Sequence, residues 1–183
     1  MDFGLQRALR IVKEWVAHWR LRFSPQNCEC IYFNAANIRI QREFDAQLYG
    51  EALSHVHSLH YLGVWYDEHL TWNRHVQEVV AHAQSRLWEL RRCVGSEWGV
   101  HPSWFLRMVR GAIIPALFCG APCWASILCL SGRLAQLDRV LALASRLAFG
   151  LERTTSSEAC IVLAGLLSAH QYIMYGLMRY MWW

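Results

Sequence analysis

The sequence predicts an α+β protein in which a helix packed on a small antiparallel sheet is followed by an all-helical bundle. Three observations carry that expectation. Runs rich in β-forming residues occur only between about residues 30 and 66, apolar residues recur at intervals of three and four through most of the rest, and 55% of the 183 residues are hydrophobic against 17% charged. That balance is enough to bury a core and argues against disorder. It fits one domain or two small pieces.

The first twenty residues place Phe3, Leu5 or Leu9, Val12, Val16 and Trp19 mostly at helical spacing, which predicts a helix over about 3–20. Ser24-Pro25 stops it, because the residue before a proline is pushed out of the helical region. The runs CIYF at 30–33 and IRI at 38–40, separated by the turn-like Asn34-Ala35-Ala36-Asn37, read as a hairpin. A third strand is expected over LHYLGVWY at 59–66. Beyond Leu70 the period changes. Val76, Val79, Val80, Ala83, Leu87, Leu90 and Val94 mark the clearest amphipathic helix, over about 72–94, with Gly95 as its left-handed cap. Further helices are expected at 103–118, 131–149, 156–165 and 169–181. The chain accordingly divides into 1–68, 69–150 and 151–183, with the change from mixed to helical structure at about residue 68.

A net charge of +4 is modest, but seventeen of the eighteen basic residues are arginine and Lys13 is the only lysine. Arginine forks suit phosphates and stacked bases, so the bias is compatible with nucleic acid, and equally with a compositional habit of the source genome. Cys28, Cys30, Cys93, Cys119, Cys123, Cys129 and Cys160 form an odd, scattered set that argues for a reducing compartment over a disulfide framework. Residues 1–14 mix charges with apolar positions and do not look like a secretory signal. The stretch GAIIPALFCGAPCWASILCL at 111–130 has no charged side chain and is long enough to span a bilayer. Its two prolines favour instead a pair of buried helices meeting near Pro115 to Pro122. A small helical membrane protein, using 111–130 and also 161–178 as spans, is the rival reading.

Asp67-Glu68 is the only adjacent acidic pair, but a metal site for phosphoryl chemistry usually needs a third carboxylate, and Asp2, Glu43 and Asp45 are isolated. The plainer expectation is that the pair complements the dipole of the helix that follows. His55, His57 and His60, Cys28-x-Cys30 and Cys119-x3-Cys123 do not match structural zinc spacings. No nucleophile elbow or phosphate-cradling glycine loop is present. Arg74, Arg86, Arg91 and Arg92, with Trp88 among them, read either as a track for a phosphate backbone or as a solvated helix face with pairs such as Arg74 and Glu78.

Trp15, Trp19, Leu21, Phe23, Ser24, Pro25 and Cys28 lead into an apolar strand, followed by HYLGV at 60–64 and DEHLTWNRHV at 67–76. Downstream come LRR at 90–92, Trp98-Gly99, IPAL at 114–117, Gly120, Trp124, RTTSSEA at 153–159 and LAG at 163–165. In that order and spacing the chain resembles the reverse transcriptases of non-LTR (LINE-type) retrotransposons, especially those common in arthropods, over most of its length.

The resemblance implies that the first helix is the palm helix following the catalytic hairpin, and that the segment around 30–40 is the end of the palm. It makes Tyr61, Leu62, Gly63 and Val64 the primer grip, whose tight turn holds the growing 3′ end. The helical half would be the thumb along the template and primer duplex, and RTTSSEA the passage toward C-terminal domains. The chain begins after the position of the family's catalytic aspartates, so no catalytic residue is assigned. Asn27 stands where the family usually has a lysine, and asparagine cannot act as a general acid. The implied protein is a piece of an RNA-directed DNA polymerase, inactive alone and with no cofactor of its own, although the intact family uses Mg2+. Its implied partners are an RNA/DNA template–primer duplex and the rest of the polyprotein, in an intracellular setting, cytoplasmic or nuclear, without a membrane.

Overall fold

A computed structural model describes residues 3–34, 46–92 and 101–182. The fold is α+β. The chain forms two compact units: Met1–Tyr61 with Trp65–Thr71, and Leu62–Val64 with Trp72–Trp183.

In the first unit, α1 spans Phe3–His18 and a 3-10 turn covers Pro25–Asn27. The strands are short: β1 Glu29–Cys30, β2 Gln47–Leu48, β3 Glu51–Ala52, β4 Ser54–His55, β5 Ser58–Tyr61 and β6 Val64–Asp67. They form three separate two-stranded ladders where one small antiparallel sheet was expected. β1 runs parallel to β4, with Glu29 opposite Ser54 and Cys30 opposite His55. The expected strand at 30–33 therefore stops at Cys30, and the 38–40 run expected to pair with it lies outside the described residues, as does the Gly95 cap. β2 and β3 pair antiparallel around a turn at Tyr49 and Gly50, both with positive φ, at 56° and 85°.

The continuous strand expected over 59–66 is also corrected. β5 and β6 pair around a two-residue turn at Leu62 (φ 49°) and Gly63 (φ 84°), a primed turn whose hand matches strand twist. The run of β-forming residues reads as continuous because an apolar residue, Leu62, takes the left-handed position usually filled by Asn or Gly.

The second unit is helical. α2 spans Asn73–Arg91, α3 Pro102–Met108, α4 Ile114–Leu117, α5 Ala121–Trp124, α6 Ser131–Phe149, α7 Ser157–Leu163 and α8 Ala169–Met181. α6 is the central helix, packed against α2, α3, α7 and α8. Its buried Leu137, Val140, Leu141, Ala144 and Ala148 follow the three-and-four spacing of one helical face, and Gly150 ends it in a left-handed cap at φ 66°. The single helix expected over 103–118 is interrupted by a π segment at Val109–Ile113. Pro115 has no N–H to donate and its ring excludes the carbonyl four residues back, so the ladder there cannot stay α. Ile114 N–H instead reaches Val109 O, five residues back.

Caps fix the last helices. Ser156 Oγ accepts from Ala159 N at 3.1 Å, starting α7. Ser168 and Gln171 form a reciprocal capping box at α8, and Asp138 Oδ1 accepts from Ala169 N at 2.7 Å. Of the 111–130 stretch, Ile113, Ile114, Leu117, Ala121, Trp124 and Ile127 are buried within this unit.

Candidate nucleic-acid interface

The Leu62–Gly63 turn is held from below by the next residue. Val64 is 3% exposed, and a Cβ built on Gly120 would come within 2.7 Å of its Cγ2. Gly120, at φ 64°, therefore supplies both a left-handed backbone and the room for Val64 to sit against it. The adjoining corner is braced by Trp124, fully buried, whose Nε1 donates to Cys119 O at 2.9 Å. Trp72 Nε1 donates to Ser126 Oγ at 2.9 Å, fixing the start of α2 beside the same stretch. His75, also fully buried, leans on the Trp124 ring at 5.1 Å.

On this support the turn stands exposed. Leu62 is 81% exposed, and Tyr61, the residue before it, 59%. Gly63 opens on a cavity of about 210 Å3 lined by Val79, His82, Ala83 and Arg86 of α2, by Ile113 of the π segment, and by Ala116 and Leu117 of α4. Its walls are apolar, and His82 and Arg86, one turn apart on α2, add two polar groups at the rim. An exposed turn, a guanidinium and an imidazole around a concave apolar floor can accept a sugar and its phosphate.

The four expected arginines do not form one track. Arg74 and Arg92 lie eighteen residues apart, five full turns, and share an azimuth, whereas Arg86 and Arg91 point about a third of a turn away on opposite sides. Only Arg86 lines the cavity with Gly63. Trp88 is exposed at 52%, on a different face from Arg86. His82 was missed by sequence reasoning. Its spacing of four from Arg86 is visible in the sequence, but nothing there says which face of α2 borders the turn.

The remaining candidates lie in the first unit. Asn27 closes the 3-10 turn, exposed, with its N–H on Ser24 O at 3.1 Å. Asp67 and Glu68 do not serve the dipole of α2, whose first turn has no acidic residue. Asp67 Oδ1 accepts from Thr71 N at 2.8 Å and His69 N at 3.2 Å, tying the loop after β6. Glu68 is clasped by histidines, with His57 Nδ1 at 2.9 Å from Oε2 and His69 Nε2 at 3.1 Å from Oε1. The His57 hydrogen bond holds the Glu68 carboxyl below its ordinary range, and the charges of His57, His69 and His55 act in the same direction. Cys28 and Cys30 are free thiols, and burial pushes the Cys30 thiol up, with Cys28 adding to the rise, so Cys30 is a poor nucleophile. Among the described residues no group of three or more His, Cys, Asp or Glu side chains is placed to hold a metal ion.

No single helix among the described residues is long and apolar enough to cross a membrane. One bent pair, Pro102–Leu117 with Ala121–Cys129 at 52°, meets the length and composition of a broken span.

No family model matches the chain, and no solved structure does. The chain is 24% identical over 170 residues to a retrovirus-related Pol polyprotein from type-1 retrotransposable element R1 of Nasonia vitripennis. That alignment covers 91% of the chain and 50% of the relative, so the chain spans about half the relative's length. The similarity supports an origin in a non-LTR retrotransposon protein.

Proposed function

We propose that the chain is the end of the palm and the thumb of a retrotransposon reverse transcriptase, binding the primer end of an RNA/DNA template–primer duplex. In this reading residues 1–68 are palm, 69–150 thumb and 151–183 a connection to C-terminal domains. The observation that supports it best is the left-handed turn Leu62–Gly63, braced by Val64 on Gly120 and opening beside Arg86. Tyr61, Leu62, Gly63 and Val64 then grip the primer terminus, and Arg86 meets a backbone phosphate, with Arg74, Arg91 and Arg92 reaching phosphates elsewhere along α2.

The exposed Ile11, Trp15, Trp19 and Leu21 around α1 suit a chain that works as part of a larger polyprotein. Intracellular action, in cytoplasm or nucleus and off the membrane, goes with this role. The chain alone is inactive as a polymerase, and Mg2+-dependent nucleotide incorporation by the purified chain would overturn that statement. Duplex binding is tested by fluorescence anisotropy across a salt series. Alanine at all four arginines should weaken binding and flatten the salt slope by roughly 0.9 for each phosphate no longer neutralised. An unchanged affinity and slope would make α2 a structural helix only. Carbonate extraction tests the membrane alternative: release into the supernatant is expected, and retention would favour the bent pair as a span.

A further inference from the structure

We propose that the concavity between α1 and the β2–β3 hairpin is a binding site for a phosphate group, with three cations about it: Arg10 and Lys13 line it, and Arg22 shares the Tyr49 ring with Lys13. The tyrosine of the hairpin turn, Tyr49, holds two of them in place. The cavity measures about 260 Å3 and is lined on the helix side by Arg10 and Lys13, one turn apart, and on the hairpin side by Tyr49 and Gly50. Lys13 Nζ lies 4.9 Å from the Tyr49 ring centroid and Arg22 Cζ 4.8 Å from the same centroid.

Both cations are thus within 5 Å of one ring, and so less than 10 Å from each other. At that separation they repel within a screening length. No described carboxylate forms an ion pair with either. Glu14 and Glu51 are close in sequence, yet neither lines the cavity. An oxyanion seated in the cavity against Arg10 and Lys13 offsets this repulsion. A guanidinium can meet it with two parallel hydrogen bonds and the ammonium with a compact charge.

The turn itself gives a second reason. Tyr49 sits at φ 56°, the first position of a two-residue hairpin turn, where Asn is the unstrained choice. Strain of this kind persists where the surroundings hold it and marks functional sites. Here the ring at that position reaches both cations, which Asn could not do.

The phosphate has two possible sources, the backbone of a nucleic acid or a free polyphosphate. The nucleic-acid source rests on the duplex-binding reading above; the free source does not. The test uses calorimetric titration of the full chain with inorganic tripolyphosphate, and with a short RNA/DNA duplex as competitor. Two variants are read beside the wild type. K13Q/R22Q removes two charges, and Y49N installs the residue the turn prefers, so it should fold at least as stably. Tripolyphosphate affinity should fall about tenfold or more in K13Q/R22Q and several-fold in Y49N, with thermal midpoints unchanged or raised in Y49N. No binding by the wild type, or equal binding by wild type and both variants, overturns the site. Competition by the duplex that survives R86Q identifies a backbone phosphate as occupant. Tripolyphosphate binding without such competition assigns a free phosphoanion, and it sustains the site even if the duplex reading fails.

Discussion

The two units are held together by different physics. In the helical unit, α6 and its neighbours bury more than twenty apolar side chains, among them Trp124, Phe105, Leu87 and Leu137 with essentially no exposure. In the first unit the described apolar side chains that are buried are Val16, Ala46 and Leu48, while Ile11, Trp15 and Trp19 of α1 stand exposed at 56%, 62% and 60%. Polar contacts order that unit. Asn34 N donates to Glu68 O at 2.6 Å, Glu68 N to His57 O at 3.1 Å and Leu53 N to Ala46 O at 2.8 Å. Burial is proportional to area and tolerates small shifts, whereas hydrogen-bonded clasps depend on geometry and on the charge of each partner. The helical unit should therefore respond mainly to lost volume, and the first unit to pH and turn chemistry.

The strongest test removes volume. Trp124→Ala should cost about 3–5 kcal/mol in denaturant unfolding, since Trp124 fills the core and anchors Cys119. A loss under about 1 kcal/mol would break the contrast between the units. Two glycines with nearly equal φ separate strain from collision. Gly150→Ala, at φ 66° with nothing within 4 Å of the added Cβ, should cost about 1–2 kcal/mol. Gly120→Ala adds a clash with Val64 at 2.7 Å and should exceed that by about 1–3 kcal/mol, while also weakening duplex binding through the displaced turn. Equal costs would show that Val64 is not held there.

A smaller effect is expected at the α8 cap. Ser168→Ala removes one half of the capping box and should cost about 1 kcal/mol, with helix fraying at Ala169–Gln171 visible by hydrogen exchange. The smallest and most diagnostic change concerns pH. Glu68 is held below its ordinary value of about 4.5, so its contribution is present above that pH and is lost as the pH falls through the lower folded value. Hydrogen exchange at the Asn34 and Glu68 amides should therefore accelerate on acidification, and Glu68→Gln should flatten that dependence. If the helical-unit amides showed the same Glu68-dependent acid profile, the separation of mechanisms would fail.

The same division explains how much was legible beforehand. The ends of α6 and α8 fall at 131–149 and 169–181, where the apolar period placed them, because a long buried stripe writes itself into the spacing. Two-residue ladders leave no such record, so a parallel pairing of Glu29–Cys30 with Ser54–His55 could not be read from CIYF. The YLGV motif was legible as a motif, but its division by a left-handed Leu62 was not, since leucine carries no turn signal. Arg86 was named among the site candidates and His82 was not. Choosing among helix faces requires knowing which neighbour covers which face.

The π segment has a consequence for the wall of the cavity. Phe105, Val109, Ile113 and Leu117 are all buried and recur every four residues. A regular α-helix gains about 40° with each such step, so over three steps the last side chain would end about 120° away from the first. The wider turn at Val109–Ile113 works like a leap day, absorbing the surplus so that a four-residue calendar stays in season. Pro115 sets the date. A deletion there would return the helix to ordinary time and swing Leu117, with the cavity floor, off its meridian.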